Sequence, residues 1–484
     1  MVPVLPFDVR LPARGGGGLS HALREQLRAA VLDGRMLPGS TLPSTRAMAD
    51  ALGISRNTVV KAYDQLVAEG YVLPRPGAKA VVAAILPRPR PGPRAGRHPL
   101  QDPRLNPLWR TPGVRPEAPR ELPERCFRLG MPDHRHFPHD VWRRLTAACL
   151  RRLSRARFGY APPEGLPELR EAIAQHVVFT RAVACGADDV LVTSGAQQAF
   201  DLIARALVTP GQTKVAVEEP GYPPLRAAFM AAGAKLVPVP VDDEGLCVDR
   251  LPADVKIISV TPSHQSPTGV AMSLRRRSAL LAFARDRQAV VLEDDYDGEF
   301  RFGGRSLDAL QTLDRDGLVF YVGTFSKSLF PSLRKGFIVT PPWARPALAG
   351  VKHCADSHCD TITQSALAAF IREGHLARHV RHMRPIYGKR REALLGGLRC
   401  DLADWLEAIP SEAGLHLAAR IRKPPQAAAI VEAMRRCTPG AQTTSDYAMQ
   451  AAPPWALSFG YGVIDAGDIG PALRRMRRAL LTTR

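Results

Sequence analysis

The segment VGTFSKSLFPSLRKG, residues 322–336, packs one lysine, several hydroxyls and two further cations into a short turn. Lys327 lies between Ser326 and Ser328, with Thr324 before it and Arg334 and Lys335 after it. An amine ringed by hydroxyl and guanidinium donors suits a ligand that carries both an electrophilic carbon and a dianionic phosphate. The preceding run, LVFYVGTFS, is short and apolar, which predicts a buried strand that ends at this turn.

Five more runs of the same kind lie upstream: VLVTSG, KVAVEEP, KLVPVP, VKIISVTP and AVVLEDD, each separated from the next by a helical stretch. This alternation predicts an α/β domain with a mostly parallel sheet covered on both faces, and ligands bind such sheets beyond the strand C-termini. VTSGAQQAF places Ser194, Gly195 and Ala196 between a strand and a helix, where free amides favour a phosphate. On those three residues alone an ordinary turn reads as well. AVVLEDDYDGEF ends its strand in three acids and a tyrosine, and alternation sends Asp294 to the face opposite Glu293 and Asp295. A buried carboxylate needs a cation or a proton, and a pyridinium nitrogen is one such cation; solvated acids at a strand end are the plain alternative. Lys327 for a Schiff base, Asp294 for a ring nitrogen, and Thr324, Arg334 and the Ser194-Gly195-Ala196 turn for a phosphate together point to pyridoxal 5′-phosphate (PLP).

The first 80 residues read differently. LSHALREQLRAAVLDG carries apolar positions at Leu23, Leu27, Ala30 and Val31, with Gly34 placed to end the helix. LPSTRAMADALG follows with Ser44 as N-cap and Gly53 as stop, and a third helix starts after Ser55 with a stripe of Val59, Tyr63, Leu66 and Val67. The short connection at Gly53 and Ile54 has helix-turn-helix length. Arg56, Asn57, Thr58 and Lys61 at the start of the third helix are residue types that read base edges or hold phosphates. LPRPGAKAVVA reads as a hairpin wing with Lys79 near its tip. A small helical bundle with solvated basic residues is the alternative.

Between these parts, residues 83–122 are dense in proline and arginine without periodicity, as in a semi-extended linker. The 484 residues carry a formal charge of +20, which suits an acidic partner such as DNA, although arginine-rich chains of GC-rich genomes also run basic. The eight cysteines, from Cys126 to Cys437, show no framework spacing. MVPVLPFDVR has no signal-peptide core, and no apolar run is long enough to span a membrane, so a reducing cytoplasm is expected. HCADSHC, residues 353–359, has metal-like residue types but no distal pair, and is read as polar surface helix; no metal is expected.

The motif SxxLRxxLxxAVxxGxxxPGxxLPSTRxxAxxLGxSRNTVxxAYxxLxxEGY over residues 19–82 resembles the winged helix-turn-helix of the GntR family. That resemblance implies DNA contacts at Arg46, Arg56, Thr58 and the wing, with Ser55, Asn57, Lys61 and Lys79 beside them. Residues 123–484 resemble fold-type I aminotransferases through YAPPEGLPELREAIA, SGAQQAF, EEPGY, TPSHQSPTG, EDDYDGEF, GTFSKSLFPSLRKG and HVRHMRPIY. The whole is similar to MocR-type regulators, the GabR- and PdxR-like subfamily: residues 1–82 a winged helix-turn-helix, 83–122 a linker, 123–484 a PLP-binding effector and dimerisation domain.

By that likeness Lys327 forms the Schiff base, Asp294 pairs the pyridine nitrogen, Tyr296 bonds the ring hydroxyl and Tyr222 stacks on the ring. Thr324 and Arg334 join the glycine turn at the phosphate, and Tyr160 reaches the phosphate of a neighbouring subunit, which implies a homodimer. The sequence departs from the aminotransferase pattern twice. Ser266-Pro267-Thr268-Gly269 stands where Asn-Pro-x-Gly is usual, leaving Ser266, or His264 or Gln265 beside it, for the asparagine's role. Pro454 and Trp455 occupy the region where an arginine usually grips a substrate carboxylate, with Arg420 or Arg422 as alternative cations. The resulting expectation is a DNA-binding regulator that senses PLP, alone or with an amine or amino-acid effector. A working aminotransferase with an accessory DNA-binding head is the alternative.

Overall fold

The computed structural model describes residues 5–12, 18–75, 79–84, 102–104, 106–110, 121–155, 159–303 and 308–482. Most of the expected linker lies outside these residues. The chain divides into two compact units, Met1–Pro103 and Arg104–Arg484.

In the first unit, α1 (Leu19–Leu32) buries Leu23, Leu27, Ala30 and Val31, the stripe expected from its spacing. Its end is followed by Gly34 at φ 80°, where a side chain would be strained. α2 (Thr45–Leu52) starts at Ser44, whose hydroxyl accepts the Ala47 N–H at 3.2 Å, and stops at Gly53. α3 (Arg56–Ala68) is capped by Ser55, which accepts the Thr58 N–H at 3.1 Å. Each such cap contributes about 1 kcal/mol. Val59, Ala62, Tyr63 and Leu66 of α3 pack with Leu23, Leu27 and Met48 into one small core, with Val67 at its margin. β1 (Val72–Leu73) and β2 (Val81–Val82) pair antiparallel with Val72 opposite Val82, which is the predicted wing.

The second unit continues with α4 (His139–Leu153), α5 (Pro167–Arg181), β3 (Val190–Thr193), α6 (Ala196–Leu207), β4 (Lys214–Glu219), α7 (Pro223–Ala231), β5 (Lys235–Asp242) and β6 (Gly245–Leu246). Next come β7 (Ile257–Val260), α8 (Leu274–Arg287), β8 (Val290–Asp295), β9 (Val319–Thr324) and β10 (Gly336–Val339). These strands form one sheet in the order β3-β10-β9-β8-β7-β4-β5-β6. β5, β4, β7, β8 and β9 run parallel. β10 runs antiparallel to both β9 and β3, so the sheet is mixed.

All six runs read as strands are strands. β10, the Gly-Phe-Ile-Val directly behind the lysine turn, is a further one: the chain reverses through Arg334 in the left-handed region and returns beside β9. Every residue of β7, β9 and β10 is buried, as a sheet covered on both faces requires. Successive residues of β8 serve opposite faces: Leu292 packs with Phe200 and Ile203 of α6, Val291 with Leu280 and Ala284 of α8.

The remainder comprises α9 (Arg345–Asp356), α10 (Thr361–Arg372), α11 (His375–Cys400), β11 (Leu406–Ala408), β12 (His416–Ile421), α12 (Ala427–Cys437), β13 (Gln442–Thr443), β14 (Ala456–Gly460) and α13 (Ala466–Leu481). Its four strands make an antiparallel sheet, β11-β12-β14-β13. The segment around Phe127 lies along this part, Phe127 N donating to Pro439 O and Gly460 N to Phe127 O, and so carries Gly130 to the lysine turn. All eight cysteines are unpaired, and no described helix is long and apolar enough to cross a membrane.

Candidate functional site

The parallel register sets Asp294 opposite Val322 and Asp295 opposite Gly323, so the C-terminal ends of β8 and β9 deliver Asp294, Thr324 and Lys327 to one edge of the sheet. Lys327 Nζ donates to the carbonyl of Gly130 at 2.8 Å. Gly130 has φ +66°, a conformation that residues with a side chain rarely adopt, and a Cβ there would sit 2.8 Å from the same nitrogen and push it aside. Burial lowers the Lys327 pKa against the pull of Asp297 and Asp294, and Arg128 lowers it further. A depressed amine spends more time in its neutral, nucleophilic form.

The three acids at the end of β8 divide as alternation requires. Glu293 accepts the Leu310 and Gln311 N–H groups at 2.8 and 2.9 Å. Asp295 accepts Arg181 Nε at 2.6 Å and the Tyr321 hydroxyl at 2.7 Å. Asp294 is buried on the lysine's side, and its Oδ1 has no hydrogen-bond partner. Burial, then Asp295, pushes its carboxyl well above the usual carboxylate range, with Lys327 opposing. A desolvated carboxylate without a partner is costly, and a cationic ring N–H would satisfy it. The donor set therefore fits PLP.

At the start of α6, Gly195 (φ 81°) is the cap, and a Cβ there would lie 3.0 Å from Arg334 Nη1. Arg334 itself sits at φ 49° and donates through Nη2 to Ser194 O at 2.7 Å. A non-glycine residue held in the left-handed region costs about 1–2 kcal/mol, strain of the sort that collects at ligand sites. Ala196 opens the helix, and Thr324 Oγ1 accepts the Ser326 N–H at 3.2 Å. Lys335 is not part of this cluster: its Nζ turns away to Asp360 at 2.8 Å. Tyr222 lies within electrostatic reach of both Asp294 and Arg334, and burial pushes its hydroxyl up to about 12. Tyr160 is 93% exposed, with its ring edge-on to His358.

Ser266 is buried, and its N–H donates to Thr261 Oγ1 at 3.2 Å. Gln265 is committed: Nε2 donates to Glu218, Pro220 O and Ser266 O, and Oε1 accepts from Thr268. His264 is the alternative that remains, with Nδ1 2.9 Å from Asp297 Oδ2 and 3.1 Å from the Tyr296 hydroxyl. The two cations offered in place of the carboxylate-gripping arginine are exposed and pair at the surface: Arg420 with Asp243 at 2.7 Å, and Arg422 with Glu407 at 3.6 Å. Ala456, the first residue of β14, is buried among Val270, Ile409 and Ala418.

HCADSHC is not a polar surface helix throughout. α9 ends at Asp356, and Cys359 is buried with its sulfur 3.4 Å from Ser194 Oγ. Among the described residues one group of three metal-ligating side chains converges, His264, Asp297 and His416. Hydrogen bonds from His264 to Asp297 and from His416 to Pro267 O already occupy it. His416, Gly130 and Arg181 escaped the sequence reading because each comes from a distant segment; Asp297 stood within EDDYDGEF as its fourth acid, but its partner His264 is 33 residues away.

In the first unit, Arg46, Arg56, Asn57 and Lys61 are exposed, as is Lys79 on the wing, whose turn at 76–78 lies outside the described residues. The Ser55 hydroxyl lies 2.9 Å from Thr58 Oγ1 and also takes the Thr58 N–H, so Ser55 serves first as the cap that aims the helix start. Arg56 Nε rests 3.4 Å from Thr45 Oγ1, a weak hold that leaves the guanidinium free to extend. Arg56→Ala is expected to cost about 1–3 kcal/mol on the operator and relax specificity at one base pair. Lys79→Ala is expected to weaken all sequences alike and reduce the salt slope by about 1. Fluorescence anisotropy at several salt concentrations separates the two effects.

Residues 19–82 match the family of bacterial regulatory proteins called gntR, and residues 127–442 match aminotransferase class I and II. The chain is 37% identical over 488 residues to the probable rhizopine catabolism regulatory protein MocR of Rhizobium meliloti, covering 99% of this chain and 96% of that one. It is 32% identical over 404 residues to the pyridoxine biosynthesis transcriptional regulator PdxR of Corynebacterium glutamicum, covering 83% of each. Among solved structures, a kynurenine aminotransferase of Pyrococcus horikoshii in complex with PMP superposes with a TM-score of 0.68 at 25% identity, over 74% of this chain and 90% of that one. A gntR head and an aminotransferase-like body in one chain define a transcriptional regulator. More narrowly, the chain belongs to the MocR-type regulators of the GntR family.

Proposed function

We propose that this regulator binds PLP at Lys327 and that the bound cofactor, alone or with an amine or amino-acid effector, changes its affinity for operator DNA in control of vitamin B6 or amine metabolism. The observation that carries this reading is the buried, unpartnered Asp294 carboxylate facing a lysine of lowered pKa. Lys327 Nζ would hold the aldehyde carbon that PLP supplies, with loss of one water, and Asp294 would hold its ring nitrogen. Tyr222 would stack on the ring. Thr324, Arg334, Ser194, Gly195 and Ala196 would hold the phosphate, with Tyr160 reaching it in a partner subunit of a homodimer.

Turnover as an aminotransferase is the weaker reading, since proline, tryptophan and a buried alanine stand where a carboxylate clamp is needed. That favours the vitamer itself as the signal. A ligand shifts occupancy only if it prefers one arrangement of the protein over another. Anisotropy on the intergenic DNA upstream of the gene, with and without saturating PLP, is expected to show at least a fivefold change in Kd. An unchanged Kd would remove the vitamer-only reading.

A further inference from the structure

We propose that His264, anchored by Asp297, is a positioning residue that turns the proton of the Tyr296 hydroxyl into the Lys327 pocket, and thereby replaces the asparagine that Ser266 has displaced. The proposal rests on the PLP reading and deepens it.

Proton counting leads there. Asp297 Oδ2 approaches His264 Nδ1 to 2.9 Å, and Leu415 N also donates to that carboxylate, at 3.3 Å. A carboxylate has no hydrogen to give, so Nδ1 carries the proton of this bond. The Tyr296 hydroxyl lies 3.1 Å from the same nitrogen. A protonated Nδ1 has no lone pair to offer, so the phenol oxygen can only share the N–H, and its own hydrogen must point elsewhere. Asp294 and Asp297 each lie within electrostatic reach of both the Tyr296 hydroxyl and Lys327, which places the phenol beside the lysine's space. The proton is therefore sent toward the side of the sheet edge that Asp294 and Lys327 share.

The surroundings are built for this arrangement. Gly414 at φ +79° leaves room for the imidazole, since a Cβ there would lie 2.1 Å from the ring; Gly269 at φ +75° does the same beside Nε2, at 3.1 Å. His416 packs against the ring with centroids 4.3 Å apart and donates through Nε2 to Pro267 O at 3.1 Å. Burial and His264 hold His416 well below its usual pKa, so it adds no charge near neutrality. Gln265 cannot serve in His264's place, its amide being fully engaged.

A donor aimed at a ring oxygen stabilises the state with more negative charge there, and so favours the deprotonated form of the loaded site. Losing the donor raises the pH midpoint of the visible absorption band. Other groups face the same space and will contribute a common background: Asp294, Asp297 and Arg128 toward Lys327, and Asp294, Asp297, Glu218 and Tyr447 toward Tyr296.

The test titrates the visible band of full-length, PLP-loaded protein between pH 5 and 10. Tyr296→Phe and His264→Phe are each expected to raise the midpoint by about one pH unit, a tenfold change in proton affinity. The double variant should move it no further than either alone. His264→Asn, which retains an N–H for Asp297, should restore most of the difference. A midpoint in His264→Phe equal to wild type while Tyr296→Phe shifts, or fully additive shifts in the double variant, would overturn the proposal. Should His264→Phe fail to fold, His264→Leu carries the test, since it leaves the charges around Lys327 unchanged: a raised midpoint supports the proposal, and an unmoved one ends it. Absence of any visible band in wild type would instead count against PLP binding itself.

Discussion

Lys327→Ala should leave the protein folded and able to bind operator DNA, yet deaf to PLP. Lys327 Nζ has one hydrogen bond, to Gly130 O, and Ala at this position removes a partly buried amine without opening the main cores, so little stability is at stake. The proposed covalent link and its contribution to affinity would vanish together. PLP binding is expected to weaken at least about 100-fold, or roughly 2.7 kcal/mol. Borohydride should no longer fix the cofactor to the chain, and the operator Kd should be the same with and without PLP. Absorbance titration, mass spectrometry of the reduced protein and anisotropy read these three outcomes. A variant that retains PLP-dependent DNA binding would mean that the signal does not pass through this lysine.

Asp294→Asn is expected to separate cofactor affinity from stability, and to move them in opposite directions. The amide keeps the shape but cannot pair with a ring cation, so PLP affinity should fall about 100- to 1000-fold, roughly 3–4 kcal/mol. Without cofactor the same change should stabilise the protein, because it removes a desolvated carboxyl. A carboxyl whose folded pKa is raised holds its proton more tightly folded than unfolded. Its stabilising contribution is complete below about pH 4 and is lost as pH climbs toward the folded value. The gain in Tm of Asp294→Asn over wild type should therefore be small near pH 4 and grow as pH rises. Differential scanning fluorimetry without PLP checks this; a gain independent of pH, or a loss of Tm, would contradict it.

Much of this was readable in the sequence because the chemistry is local. The strand ends that carry Asp294 and Thr324, the Ser194-Gly195 turn and the capped helices of the DNA-binding unit all follow from period, capping and turn chemistry within a dozen residues. β10 did not, since four residues after a proline-containing turn carry little periodic signal. The direction of Lys335 was also out of reach: the left-handed Arg334 before it reverses the chain, and adjacency in sequence then says nothing about which way a side chain points. Choosing His264 over Gln265 required knowing what each touches, and the decisive partner, Asp297, is 33 residues away. Gly130 meets Lys327 across 197 residues, a pairing that no local pattern encodes.

That last contact has a mechanical corollary. Were Lys327 Nζ to take up PLP as proposed, it would give up hydrogens, and the Gly130 carbonyl would lose its claim on them. Gly130 belongs to the stretch by which the chain enters the large unit, stitched to β14 at Gly460 only three residues earlier. Cofactor held at Lys327 as proposed would therefore be felt at Gly130, three residues from the Phe127 pairing that ties this stretch to β14.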